Sequence, residues 1–182
     1  MSLLEVEGLT LDVPVPEGSG RILHGVDLTV DAGSAVGLVG ESGSGKSMTV
    51  RTVAALLPPG ATTSGTVRFA GEQVLGMSTG RLRRYRSSQV AMIFQDPRAA
   101  INPVRKVGDF LVENAVTNLG WSRSQARAKA VDVLREVGIT DPERRLDAFP
   151  SQLSGGLLQR AMIASTLLYE PELLLADEPT TA

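Results

Sequence analysis

Cysteine is absent from the 182 residues, which excludes disulfides, thiol nucleophiles and cysteine metal sites together. A reducing compartment fits that composition. Aromatic residues make up only 4%, so platforms for stacking nucleobases are scarce. Histidine occurs once, at His24. Neither sign of charge dominates: 18 Lys and Arg oppose 20 Asp and Glu, for a net charge of −2. That balance gives no electrostatic case for a nucleic-acid partner. No apolar run approaches the roughly 18 residues of a membrane span. The start, Met1-Ser2-Leu3-Leu4-Glu5, lacks the basic n-region of a secretory signal. No internal repeat or low-complexity tract occurs.

What is present reads as globular. Hydrophobic residues reach 42% and charged residues 21%, enough to bury a core within one domain carrying an inserted subdomain. Such a chain is expected to be soluble and to dock on membrane components if it serves them. Leu4 and Val6 alternate with Glu5 and Glu7, and the alternation restarts at Leu9, Leu11 and Val13. The slip at Gly8 predicts a bulge in a half-buried strand. Pro14–Gly20 reads as a loop, Val26–Val30 as a strand and Asp31-Ala32-Gly33 as a turn. Ser34–Val39 is short, apolar and β-branched, and predicts a strand buried on both faces.

A helix is expected over about Lys46–Leu57, stopped by Pro58-Pro59-Gly60, with strands at Thr66–Phe69 and Gln89–Phe94. From Asp96-Pro97 to about Pro150 the pattern is helical. Val107, Phe110, Leu111, Ala115 and Leu119 share one face, and Ala130, Val133, Leu134 and Val137 form another stripe. Ser122 and Gln125 have capping-box spacing, and Gly138 stands where a C-terminal cap belongs. A helix over about Gly155–Leu168 points Leu158, Ala161, Met162, Ser165 and Leu168 inward, and Leu173–Ala176 is a further buried strand. The order predicts an α/β fold: a mainly parallel core, an N-terminal antiparallel β subdomain and an inserted helical subdomain. The expected division is 1–96 and 154–182 for the core and 97–153 for the helical part.

Gly40-Glu41-Ser42-Gly43-Ser44-Gly45-Lys46-Ser47 matches G-x-x-x-x-G-K-[ST] in full, between an expected strand and an expected helix. Glycines let successive N–H groups turn toward one anion, and a helix N-terminus adds unpaired donors. Lys46 can reach the β- and γ-phosphates, and the Ser47 hydroxyl can ligate Mg²⁺. Asp177-Glu178 follows the last apolar strand directly. Where a chain turns at a strand end, adjacent carboxylates can serve one site: Asp177 holding Mg²⁺, Glu178 accepting a proton from the attacking water. Alone the pair is also an ordinary solvated strand terminus; beside a phosphate loop it gains weight. Leu153-Ser154-Gly155-Gly156 opens a predicted helix, where a serine and two glycines expose N–H donors to an anion. The alternative there is an ordinary N-cap.

Together, Gly40–Ser47, Leu153–Gly156 with Gln159-Arg160, and Leu173–Pro179 resemble the ATP-binding subunit of an ABC transporter, over nearly the whole chain. Leu-Ser-Gly-Gly resembles that family's signature motif, and Gln95 matches its Q-loop glutamine. Phe94-Gln95-Asp96-Pro97 with Ile101-Asn102-Pro103, Phe149-Pro150-Ser151-Gln152 and Asp177-Glu178-Pro179-Thr180-Thr181-Ala182 resemble the dipeptide, oligopeptide and nickel import branch. The resemblance implies an ATPase that powers import at the cytoplasmic face of the membrane. It implies ATP and Mg²⁺ as cofactors. ATP would be held by Gly40–Ser47 and Met48 of one protomer and Leu153, Ser154, Gly155 and Gly156 of the other, in a head-to-tail pair. Glu178, Lys46 and Gln95 would be catalytic, and Ser47, Gln95 and Asp177 would hold the metal. Permease subunits would face the helical block and the loop after Gln95, and cargo would arrive through an extracytoplasmic binding protein.

The sequence departs from the family at three places. The first aromatic is Phe69, and Val13 takes the place of the residue that stacks on adenine, which implies weaker base discrimination or a substitute contact. Leu157-Leu158 follow the signature glycines where polar residues are common. The chain stops at Ala182, before the family's switch histidine, and His24 lies before the phosphate loop. A truncated domain with little ATPase activity of its own and poor stability is therefore expected. Two other readings compete: a nucleotide-binding fragment that does not hydrolyse, and an ABC-type ATPase without a permease. Arg81, Arg83, Arg84 and Arg86 around Tyr85 read as a solvated helix face, and Trp121 as a packing anchor.

Overall fold

Strand alternation with one slip builds the first ladder. The computed structural model describes residues 2–179 in two compact units, divided between Leu82 and Arg83. In the first unit β1 (Ser2–Val15) pairs antiparallel with β2 (Gly18–Asp31) on one edge and β3 (Thr62–Phe69) on the other, and β4 (Glu72–Gln73) completes the order β2-β1-β3-β4. Register shifts lie between Val6 and Leu9 against β2 and between Glu7 and Thr10 against β3. Gly8 sits between them at φ 55, which is the expected bulge. Gly65 opposes it at φ 82, where an added Cβ would fall 2.4 Å from the Gly8 carbonyl oxygen. Leu4, Val6, Leu9, Leu11, Leu23, Val67 and Phe69 are the buried positions of this ladder.

Three expectations for this unit need correction. The loop over Pro14–Gly20 is only the two-residue turn Pro16-Glu17, because β1 and β2 stay paired as far as Val15 opposite Gly18. The helix after the phosphate loop, α1 (Lys46–Val53), ends before Leu57. Ala55 turns left-handed at φ 55, and the N–H groups of Ala55 and Leu56 close back on the carbonyls of Thr52 and Arg51, a Schellman ending. Residues 34–39 form no strand and are exposed, with Val39 at 95%. A parallel strand needs partners on its edges and covering elements on its faces, and among the described residues the parallel ladder contains only two other strands.

Those two are β5 (Val90–Ile93) and β6 (Leu173–Ala176), paired in parallel in the second unit. β6 buries Leu173 and Leu175 but exposes Leu174 and Ala176, so it is covered on one face and not, as expected, on both. A helix that spans the boundary between the units, α2 (Thr79–Arg84), leads into a π-helical turn (Tyr85–Gln89) before β5. Two members of the arginine run have side-chain partners. Arg81 pairs with Glu72, and the Arg83 guanidinium donates to Asn118 Oδ1 at 2.9 and 3.1 Å. Tyr85 is fully buried, and burial pushes its hydroxyl well above the usual phenol range.

The helical block consists of α3 (Pro97–Ala100), α4 (Val107–Asn118), α5 (Arg123–Glu136), α6 (Pro142–Leu146) and a 3₁₀ turn (Pro150–Gln152), and leads into α7 (Gly155–Leu167). Its core joins Val107, Leu111, Ala115, Ala130, Val133 and Leu134 to Leu158 and Ala161 of α7, with Phe110, Trp121 and Val137 packed on the rim. The capping box forms as expected: Gln125 N donates to Ser122 Oγ at 3.2 Å and Ser122 N to Gln125 Oε1 at 3.1 Å. Gly138, at φ 75, ends α5 as the expected cap. On α7 Ser165 is half-buried, whereas Gln159 is buried. Among the described residues no helix is long and apolar enough to cross a membrane.

Candidate functional site

The phosphate loop belongs to the first unit and the other candidate residues to the second, so each group stands by itself. Gly43 and Gly45 adopt φ 82 and 93, turning the loop sharply into α1. A Cβ on Gly40 would fall 2.8 Å from Ser44 Oγ, and one on Gly45 would fall 2.8 Å from Leu23 Cδ2. Both close atoms are side-chain ends that can rotate away, so the requirement for glycine is the left-handed φ at Gly43 and Gly45. Ser44 N donates to the Glu41 carbonyl at 3.2 Å and closes the turn. Lys46 Nζ donates to the carbonyls of Gly40 and Glu41, each at 2.8 Å, so its charge lies over the loop's concave side. Gly40–Ser44 are exposed; Gly45, Lys46, Ser47 and Met48 are half-buried. Gly45 caps α1 without a side chain, and the first turn carries no acidic residue. No acidic side chain of the first turn offsets the positive potential of this helix start.

In the second unit, parallel pairing brings distant residues to one end of a sheet. Ile93 lies opposite Ala176, and the Asp177 N–H extends the ladder to the Ile93 carbonyl at 3.0 Å. Both strands then end on the same side, where Gln95 Nε2 donates to Glu178 Oε2 at 2.7 Å. Asp177 is buried at 5% exposure and Glu178 is exposed, as strand alternation requires. Glu178 has φ 48, a left-handed conformation that costs a non-glycine residue about 1–2 kcal/mol. That turn brings the two adjacent carboxylates to one strand end in different surroundings. The buried Gln159 amide donates to the Pro179 carbonyl next to it. No role attached to Gln159 in the sequence. The available signal was its spacing: Gln159, Met162 and Thr166 stand at i, i+3 and i+7, so a polar residue opens an inward stripe. Thr180, Thr181 and Ala182 lie outside the described residues.

The signature candidate opens α7. Leu153 is buried in the helical core, and Ser154 is the N-cap, its Oγ accepting from Leu157 N at 3.3 Å. An added Cβ on Gly155 or Gly156 would meet nothing within 4 Å, and neither residue has a left-handed φ. Nothing within the described residues requires glycine there.

Residues 23–181 match the family described as ABC transporter. The chain belongs to the ABC transporter family. Among curated relatives, a probable peptide ABC transporter ATP-binding protein of Sinorhizobium fredii is 45% identical over 99% of this chain and 54% of its own length. A probable D,D-dipeptide transport ATP-binding protein of Escherichia coli is 43% identical over 99% of this chain and 56% of its own length. The chain thus spans about half the length of the curated relatives it matches. Among solved structures, the ATP-binding cassette MJ0796, a dimer in a post-hydrolysis state bound to ADP and Pi, superposes with a TM-score of 0.85. That match covers 98% of this chain and 75% of the other at 25% identity. The cassette cbiO1 of Clostridium perfringens gives a TM-score of 0.77 at 27% identity, over 100% and 67% of the two chains. The α/β fold of an ABC cassette, expected from the motifs, is therefore the fold of this chain. Its likeness to peptide-transport ATP-binding proteins agrees with the branch that the Phe94–Pro97 and Phe149–Gln152 segments resemble.

Proposed function

We propose that the chain is the ATP-binding and hydrolysing part of an importer of peptides, or of nickel and other metal chelates, peripheral to the cytoplasmic face of the membrane. One observation carries the catalytic half of this reading. β5 and β6 bring Gln95 and Glu178 together at 2.7 Å, although they lie 83 residues apart. A carboxylate able to accept a proton then stands beside an amide able to hold water. Water would attack the γ-phosphorus, the bond to the bridging oxygen of ADP would break, and the water's proton would pass to Glu178. Lys46 would meet charge on the β- and γ-phosphates, and Gly40–Met48 would cradle them. Each group by itself suits part of a magnesium triphosphate: the first unit offers a glycine turn, a cation, an uncapped helix start and the Ser47 hydroxyl, and the Gln95 amide and Asp177 carboxylate of the second are hard donors that would hold the metal. Mg²⁺, when bound, offsets phosphate charge and orients the γ-phosphate.

Leu153, Ser154, Gly155 and Gly156 would close on the nucleotide of a second ATPase domain, identical or related, in a head-to-tail pair. The open space at both glycines supports that role. The division into an ATP-binding core, 1–96 and 154–182, and a helical subdomain, 97–153, belongs to the same proposal. A permease would meet the helical side near a concavity of about 300 Å³ lined by Arg98, Ile101, Pro103, Pro150 and Leu158. An extracytoplasmic binding protein would deliver cargo to that permease.

Reconstitution tests the reading. The full-length protein, assembled with its permease in vesicles, should take up peptide in proportion to ATP consumed. ATP consumption without association with any membrane subunit would favour an ATPase unconnected to transport.

A further inference from the structure

Six buried polar residues stand out among the described residues, and Gln159 is the one that reaches out of its own helix to the acidic turn. A buried amide has to be hydrogen-bonded, and its loss leaves the partner unsatisfied. Gln159 Nε2 donates to the carbonyl of Pro179, immediately after Glu178. The turn is thus pinned at three consecutive residues. Ile93 holds the Asp177 N–H, Gln95 holds the Glu178 carboxylate, and Gln159 holds the Pro179 carbonyl. Between the outer two pins Glu178 is kept in the left-handed conformation at φ 48, which needs outside support to persist.

We propose that Gln159 is a positioning residue for Glu178: by fixing the Pro179 carbonyl it holds the turn that aims the Glu178 carboxylate at the Gln95 amide. This rests on the reading of Glu178 as the proton acceptor and deepens it. The geometry also gives α7 two duties at once. Ser154 and the two glycines form its start, and Gln159 lies five residues further on, about 7–8 Å along the axis. A nucleotide seated on the start of α7 by a second protomer would therefore press on a helix that is hydrogen-bonded to the residue following this chain's own proton acceptor. Releasing the Pro179 pin lets the strained turn relax and swings the carboxylate away. A displacement of about 1 Å at a reacting group can cost on the order of 10²-fold in rate.

The test uses the full-length assembled protein with the Gln159→Leu and Gln159→Met variants, each also combined with Glu178→Gln. The expected result is a fall in kcat of about tenfold to a hundredfold, with Mg·ATP affinity unchanged and no further loss in the Glu178→Gln background. Equal losses in both backgrounds would overturn the inference, as would a loss confined to ATP affinity. Unfolding of both single variants would do the same, by making Gln159 a packing residue. If Glu178→Gln alone kept full turnover, the proton-acceptor reading would fall and this inference with it. That outcome is recognisable without any change at position 159.

Discussion

Gly156→Ala should make the protein more stable and less active. Gly156 is exposed in the first turn of α7, an added Cβ would meet nothing within 4 Å, and its φ suits any residue. The folded state therefore loses no contact and gains no strain from a methyl group. Alanine is the better helix former, by about 1 kcal/mol in a helix interior. Most of that preference is the freedom alanine removes from the unfolded chain, an effect of about 0.4–1 kcal/mol. Discounted for a first-turn position, the gain is about 0.5–1 kcal/mol, or about 1–4 °C in Tm for a chain of this size. The same methyl would occupy the space through which an anion reaches the N–H donors of the helix start. Loss of such donors costs on the order of 10²-fold in turnover. Thermal unfolding and steady-state ATP hydrolysis on the same preparation read both effects. A lowered Tm would refute the packing argument; full turnover with a raised Tm would refute the role given to the signature glycines.

The bulge in β1 separates two reasons for glycine. Gly8→Ala, with open space around it, should cost only the left-handed strain of about 1–2 kcal/mol. Gly65→Ala adds a backbone collision and should cost about 2–5 kcal/mol, so equal Tm losses for the two would contradict the register described here. Acid pH tests the ion pairs. Arg127 and Lys106 hold the Asp147 carboxyl below its ordinary value of 3.8. A lowered folded-state value means that the pair contributes fully above 3.8 and is lost as pH falls through the lowered value. Asp147→Asn should therefore lower Tm slightly near neutral pH and leave it unchanged in strong acid. A difference that persists in acid would assign Asp147 a role other than charge.

Local signals were the legible ones. The slip in alternation at Gly8, the Ser122 and Gln125 spacing, and Gly138 each record a conformation set within a few residues, and each formed as expected. The phosphate loop and the Ser154 cap were legible for the same reason, since each sets a helix start from its own residues. Partners distant in sequence decided the rest. Residues 34–39 have the composition of a buried strand, but a ladder depends on neighbours that the segment does not contain. β6 was identified to the residue, yet its one-sided burial depends on what covers Leu174. α1 ended early because a left-handed alanine can close a helix where glycine is the usual signal. Glu178 could be placed at a strand end, but its bond to Gln95 follows from parallel pairing, and the grip of Gln159 on Pro179 from the docking of α7 beside β5.

The decisive measurement is single-turnover cleavage of Mg·ATP by the full-length protein and its Glu178→Gln variant, with nucleotide binding followed in parallel. Both proteins should bind Mg·ATP alike, and the variant should cleave it about 10²–10⁴-fold more slowly. Equal cleavage rates would show that the proton leaves the attacking water by another route and that Glu178 is not its acceptor.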